Sequence, residues 1–552
     1  MDNQKLFLII AILLSVFLLW DKWAFRNTPQ PLNNIAEQTS GNTIDQINTI
    51  VANTSDANSD VPDFAFQEVS SDIEVYGSSE QQPYTTVTTD LLTVEISHKG
   101  GAIQNAYLNS YPSELGSETN FQLLSNKKGS AFRAHSGLKG SATNSLPTHE
   151  SMFNSQKSNY GLVGETLSVP FTWENENGID VTKTYYFQRG SHVVEIDYVI
   201  NNNSNNAIGA RSYVFLERDS LDQSNMMMPT FTGGIVYDKD SDSVQKNSFD
   251  DWSDFDNDTS KNTIGGWIAM VQQYFVAAWI PNQNEKQEHQ SYVGKNDNLY
   301  KLRSVGQQMT INSGSSVSVS QNKLYVGPKE YGNIEKVATG LNYSLDYGWL
   351  DILADPLSWI IHKVNDFVGS WGWSIIIITF LIKLAFYPLS EKSYRSMAGM
   401  RKLAPRLEKI KASYGDDRQK MGQKTMELYK KEKINPASGC LPILVQIPVF
   451  IAFYWMLLDT VELRQMPFLY LPDLSAQDPY YILPLLMGAS MFIQQKLNPP
   501  PADPMQAKIM MSLPFVFTIF FLWFPSGLVL YWVVNNTLSI AQQWTINKRI
   551  NG

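Results

Sequence analysis

The chain has 552 residues, 43% of them hydrophobic, with 43 Lys+Arg against 53 Asp+Glu and a formal net charge of −10. Such a length leaves room for several domains, and the acidic balance excludes a generally basic nucleic-acid binder. One cysteine, Cys440, excludes an internal disulfide; six histidines without metal spacing and no GxxxxGKS or GxxxxGKT loop argue against a metal, a nucleotide or another cofactor.

Leu6 to Trp20 is an apolar run between Lys5 and Asp21-Lys22-Trp23. No small-x-small cleavage site follows it, so residues 1–26 are expected to remain as a transmembrane anchor rather than a removed signal peptide. Residues 27–84 are rich in Asn, Thr, Ser, Asp and Gln without periodicity, a tether composition reaching roughly 40 Å as a flexible coil.

From 85 to 348 the period becomes two. Leu92, Val94 and Ile96 alternate with polar residues, as do Val194, Ile196, Tyr198 and Ile200, and Asn177-Gly178 predicts a type I′ hairpin turn. An extended antiparallel β-sandwich is expected. Asp21 to Gly348 holds 38 Asp+Glu against 22 Lys+Arg, a local charge of −16 that disfavours nucleic acid or anionic lipid as a general partner.

Leu350, Leu353, Leu357, Ile360, Ile361, Val364 and Phe367 recur at helical spacing, with Asp355-Pro356 as cap and first turn. Residues 349–368 therefore predict an amphipathic helix in the membrane interface, or alternatively one packed on the sandwich. Five further spans follow: Trp371–Leu389, Cys440–Leu458, Tyr480–Gln494, Ile509–Phe524 and Leu528–Gln542. Pro442, Pro448, Pro484 and Pro514 predict kinks among them.

The loop from Ser390 to Asn435 carries 13 Lys+Arg against 6 Asp+Glu and reads as a helical hairpin turning at Tyr414-Gly415-Asp416. Basic loops face the cytoplasm. Both termini, the Lys496–Lys508 loop and the tail 546–552 then lie inside, and the acidic sandwich outside. The expected fold is an α+β membrane protein with six transmembrane helices: an anchor, and a five-helix core at 369–545 interrupted by the hairpin 390–435.

Lys383 stands inside an apolar span, where insertion scales charge ~2.5–3.5 kcal/mol for lysine. Thr379, Lys383 and Tyr387 are spaced to share one helix face. Gln446, Thr518, Asn535, Asn536 and Ser539 on other spans could complete a hydrated cavity. The plainer readings are a snorkelling lysine and amides acting as packing glue. Trp523, Tyr531 and Trp532 read by composition alone as interface anchors. Met397, Met400, Met421 and Met426, beside Arg401 and Lys402, give the hairpin an adaptable contact surface, or it is merely solvated and lipid-associated.

The stretch Gly372–Pro388 (GWSIIIITFLIKLAFYP) resembles the first core span of the YidC family of membrane insertases. The resemblance continues through Lys433-Ile434-Asn435-Pro436, Gly439-Cys440-Leu441-Pro442, Gln446-Ile447-Pro448, Val461-Glu462-Leu463-Arg464, Ala476–Pro484 and Phe521–Tyr531, covering Leu350–Gln543. Asp90–Gly140 is similar to the start of that family's periplasmic domain in Gram-negative bacteria.

The resemblance implies a multi-pass inner-membrane protein that is not an enzyme, with a groove open to cytoplasm and lipid but closed to the outside. Nascent membrane proteins would be its clients, and the bilayer, the Sec translocon and the ribosome its partners. Phe450, Trp523, Tyr531 and Trp532 would line the path of the client's apolar segment. The family's groove charge is usually arginine; Lys383 keeps the charge but lacks the planar donor fork. A basic C-terminal extension is nearly absent at Lys548-Arg549-Ile550-Asn551-Gly552, which shifts any ribosome contact to the hairpin. The rival readings are a transporter or channel with a periplasmic binding domain, which the lack of an inverted repeat disfavours, and an anchored carbohydrate-binding protein.

Overall fold

A computed structural model describes residues 83–551, apart from 141–145, 220–229, 250–251, 253–260, 295–298, 415–416, 433–440 and 499–503. The expected anchor at 1–26, nearly all of the tether, and the Lys433-to-Pro436 and Gly439-Cys440 motifs lie outside the described residues.

Alternation along the strands does what the sequence predicts. In Ile179–Gln188, the residues Ile179, Val181, Tyr185 and Phe187 point inward while their neighbours stay partly wet. Among the described residues, strands of this kind pair into an 11-stranded and a 9-stranded sheet. The sheets share a core that includes Phe171, Tyr185, Tyr198, Trp279 and Leu324. Each such side chain contributes about 1.5–3 kcal/mol by leaving water.

One inward position breaks the apolar rule. Lys183 is fully buried; its Nζ donates to the carbonyls of Gly100 at 2.9 Å and Gly101 at 3.0 Å, and the ring of Tyr185 lies 5.2 Å away. Burial holds the amine well below the ordinary lysine range.

The hairpin turn at Asn177-Gly178 is not type I′. Only Gly178, at φ +78°, occupies the left-handed region, whereas type I′ requires two such residues. The Asn175 side chain accepts the Asn177 and Ile179 amides at 3.0 Å each, pulling the turn open to four residues, Asn175 to Gly178.

The helical part contains α1 (Asp351–Val368), α2 (Trp371–Ala385), α3 (Tyr387–Lys402), α4 (Ala404–Tyr414), α5 (Arg418–Lys431), α6 (Leu441–Asp459), α7 (Ile482–Leu497), α8 (Pro504–Phe520) and α9 (Ser526–Asn551). Among the described residues no single helix is long and apolar enough to cross a membrane alone. The pair α2 and α3 is, across a 66° bend. The bend has a local cause: the Pro388 ring would meet the carbonyl of Leu384 in a continuous helix, so the chain breaks at Phe386 (φ −89°, ψ 7°) and Pro388 sits in the first turn of α3. The expected span to Leu389 therefore stops at Ala385, about 22 Å from its start at 1.5 Å per residue.

Other boundaries shift for similar reasons. α1 grows out of a 3-10 turn at Gly348–Leu350, so Pro356 lies inside the helix instead of opening it. Among its described residues the basic loop holds three helices, not two, because α3 extends into it and ends at Leu403 before Pro405. Asp417 caps α5 by accepting the Lys420 amide at 3.1 Å.

Sandwich and helices meet through buried polar contacts. Lys329 Nζ pairs with Asp459 Oδ1 at 2.5 Å, and both side chains are nearly inaccessible. Gln273 donates to the Leu458 carbonyl at 3.0 Å. Arg464 donates to the Ser113 carbonyl at 2.9 Å while lying over the rings of Phe121 and Phe275. Glu462 Oε1 accepts the Tyr331 amide at 3.2 Å and bonds His362 Nε2 at 3.3 Å, so one carboxylate ties the sandwich to α1.

Candidate functional site

α2 is apolar along most of its length and packs against α9 and α1. From its last turn Lys383 reaches Ser539 Oγ on α9 at 2.8 Å and Gln446 Oε1 on α6 at 3.3 Å. Gln446 Nε2 in turn donates to Asn535 Oδ1 at 2.8 Å, and Ser539 donates back to the Asn535 carbonyl at 2.8 Å. Three helices thus converge on one ammonium. All its hydrogen-bond partners are neutral, and among the described residues no carboxylate pairs with it. Desolvating a cation without a counter-charge is costly, and neutral dipoles offset only part of that cost.

The remaining expected groove residues fall differently. Thr379 is buried, but its hydroxyl donates to the Ile375 carbonyl at 2.6 Å, so its proton serves its own helix. Tyr387 lies beyond the bend and leaves the stripe it would share with Lys383 in a straight helix. Asn536 faces α7, donating to Ser490 Oγ at 3.1 Å. Thr518 donates to the Pro514 carbonyl at 2.7 Å and packs so tightly on Gly488 that an added Cβ there would approach Oγ1 to 1.9 Å. These two belong to the α7–α8–α9 packing rather than to the shell of Lys383.

Sequence reasoning missed Tyr394, which hydrogen-bonds Ser539 from α3. It follows Lys383 by 11 residues, about three helical turns, but lies beyond the expected end of the span at Leu389, in the stretch read as the basic hairpin.

On α6, Phe450 stacks on Tyr531 at 5.9 Å between ring centres and meets Trp532 at 4.7 Å. Trp523, past the end of α8, is half exposed and stands at the other expected end of the path. In the basic region Met397, Met400 and Met421 are half-buried, while Met426, Arg401 and Lys402 are exposed. Arg401 donates to the Lys496 carbonyl at 3.4 Å, tying the end of α3 to the end of α7. Among the described residues no group of three or more His, Cys, Asp or Glu side chains is placed to hold a metal ion.

Comparison with known proteins covers both parts. Residues 84–360 match the model of the YidC periplasmic domain, and residues 363–552 match that of the 60Kd inner membrane protein. A membrane protein insertase YidC from Ruthia magnifica is 58% identical over 552 residues, spanning 100% of both chains. Its counterpart from Methylobacillus flagellatus is 45% identical, over 99% of this chain and 97% of its own. A crystal structure described as an active YidC insertase with its first transmembrane domain resolved aligns over 84% of this chain and 92% of its own, at 17% identity and a TM-score of 0.39. The two matched parts and the full-length relatives together show that this inner-membrane protein with a periplasmic domain belongs to the YidC family of membrane protein insertases.

Proposed function

We propose that the chain inserts client segments through a cytoplasm-facing groove whose attracting group is the Lys383 ammonium. The observation that carries this reading is the convergence of α2, α6 and α9 on one cation that has only neutral acceptors, Gln446 and Ser539. A client's short acidic or polar segment supplies the missing counter-charge, and Gln446 and Asn535 offer it hydrogen bonds. The apolar segment that follows passes Phe450, Tyr531 and Trp532, with Trp523 beyond, and its partition into lipid drives the process. No covalent bond is made or broken.

The charge asymmetry of the loops supports the orientation: basic hairpin, Lys496–Lys508 loop and both termini inside, acidic sandwich outside, with six membrane-crossing segments in all. In this reading the half-buried methionines of α3 and α5, with the exposed Met426, Arg401 and Lys402, receive the ribosome or the emerging client. Work beside the Sec translocon is part of the same proposal. A solute transporter would have no use for a cation poised for acidic segments, and the full-length relatives are insertases.

In cells depleted of the native protein, Lys383→Leu should abolish or strongly weaken insertion of clients with acidic translocated segments, and Lys383→Arg should support it. Normal insertion by the leucine variant would remove the charge from the mechanism. A photo-crosslinker at Gln446 or Phe450 should capture a stalled nascent membrane protein.

A further inference from the structure

Residues 460–481, which join α6 to α7, invert the arrangement usual for a loop, where charged side chains face water and apolar ones turn in. None of the four charged side chains in this segment is exposed. Glu462 bonds Tyr331 and His362, and Arg464 the Ser113 carbonyl. Asp473 accepts the Ser475 amide and hydroxyl at 2.7 Å each. Asp478 accepts the Tyr470 hydroxyl at 2.8 Å and the amides of Tyr480 at 3.0 Å and Leu483 at 2.7 Å. Every exposed position is uncharged, and apart from Gln477 each is a proline, alanine, methionine, leucine or tyrosine.

The outward apolar side chains are placed there by a held backbone. Phe468 packs on Gly372 at the start of α2, so closely that a Cβ on the glycine would come within 2.1 Å of its ring. Phe468 and Leu471 exchange backbone hydrogen bonds at 2.9 Å each, closing a tight turn that carries Leu469 at its tip. The amides of Ser526 and Gly527 fix the far side of the loop through the carbonyls of Ala476 at 2.7 Å and Leu474 at 2.8 Å. Within this frame Leu469 stands at φ +55° and Tyr481 at φ +56°, a left-handed conformation that bulky side chains rarely take. Backbone strain of this kind persists only where the surroundings over-determine it. Here it aims Leu469, 80% exposed, and the exposed Tyr481 away from the protein.

What covers these side chains follows from the surface they continue. Tyr481 stands at the head of α7, where the exposed Ile482, Leu486, Ala489 and Ile493 recur at i, i+4, i+7 and i+11 and so form one stripe. On an inner-membrane protein such a stripe meets lipid, and the loop lies at its end. Trp373, half exposed in the first turn of α2, meets Phe468 edge-on at 5.6 Å on the other side of the loop. Tyrosine and tryptophan among apolar neighbours, with no exposed charge between them, suit the bilayer interface, where the ring is apolar and its polar tip stays wet.

We propose that the loop between α6 and α7 anchors the chain in the membrane interface, with Met466, Leu469, Tyr480 and Tyr481 seated at the boundary between headgroups and acyl chains. The surface they contact is lipid, not a second protein. Contact with lipid stands on the loop itself; that the leaflet is the outer one rests on the orientation proposed above.

The test uses the full chain in a Cys440→Ser background carrying Leu469→Cys, Tyr480→Cys or, as a control on the sandwich, Val163→Cys, which replaces a side chain 93% exposed. Each variant is labelled with an environment-sensitive NBD fluorophore and reconstituted into vesicles of phosphatidylethanolamine and phosphatidylglycerol. Labels at 469 and 480 should be quenched by lipids bearing a nitroxide high on the acyl chain, as expected for side chains ~5–10 Å into the headgroup boundary. Aqueous iodide should quench them several-fold less than the label at 163. Iodide quenching equal to that at 163, without quenching by the nitroxide lipid, would overturn the proposal by leaving the loop in water. Shielding from both quenchers would overturn it by placing a protein, such as a second copy of the chain, on the loop.

Discussion

Among the described residues, the buried Lys183 and Lys329 and the half-buried Lys383 differ in what surrounds the amine. Lys183 is ringed by carbonyls and aromatic faces, and Lys329 has the carboxylate of Asp459. Lys383 has an amide oxygen and a hydroxyl. Of the three, Lys383 alone has neither a carboxylate nor a cage of carbonyls and aromatic faces, which makes it the amine whose removal should relieve the fold. Lys383→Leu is therefore expected to raise the unfolding free energy in detergent by about 1–3 kcal/mol, the gain found when buried charge gives way to well-packed hydrocarbon. Thermal melts of wild type and variant check this. A lower melting temperature would mean that the bonds to Gln446 and Ser539 outweigh desolvation.

At the scale of elements, what was legible followed local periodicity. Strands with period two, such as Ile179–Gln188, declared themselves because one face is dry and the other wet. The helix breaks did not, since the bend at Phe386 depends on how one proline ring meets the preceding turn, and an unbroken apolar run hides it. The Asn175 side chain that reshapes the hairpin turn was equally invisible to a dipeptide rule. The register that α1 keeps with the loop after α6 depends on His362, which bonds Glu462 and stacks on Tyr331 at 4.7 Å. Burial pulls this imidazole down, but the Glu462 hydrogen bond and charge, aided by the Ser358 carbonyl, raise it above its ordinary 6.5 overall. A raised value stabilises the fold fully below pH ~6.5, and the contribution disappears as pH climbs through the folded-state value. The melting-temperature gap between wild type and His362→Gln should accordingly be widest below pH ~6.5 and narrow toward alkaline pH. A gap independent of pH would show that the contact acts through packing alone.

At the scale of the whole molecule, the joint between sandwich and helices was the least legible part. Its pairs lie far apart in sequence: Lys329 with Asp459, Arg464 with the Ser113 carbonyl, Gln273 with the Leu458 carbonyl. No periodic pattern marks such partners, and a lone Asp459 at the end of an apolar helix reads as a simple boundary. In the folded chain that carboxylate is buried and faces the sandwich's Lys329, so among the described residues the helices carry a charge that only the other domain neutralises. Breaking a buried pair by losing one partner costs roughly 3–5 kcal/mol, whereas removing both members is often neutral. The sign of one substitution should therefore depend on whether the sandwich is present. Asp459→Leu in the full chain strands Lys329 and should lower the melting temperature in detergent. The same change in a chain with residues 84–345 replaced by a short Gly-Ser linker removes an orphaned carboxylate and should raise it. If Asp459→Leu lowers stability in both backgrounds, Asp459 is held by the helices themselves, and the two domains are joined by contact area rather than by a shared charge.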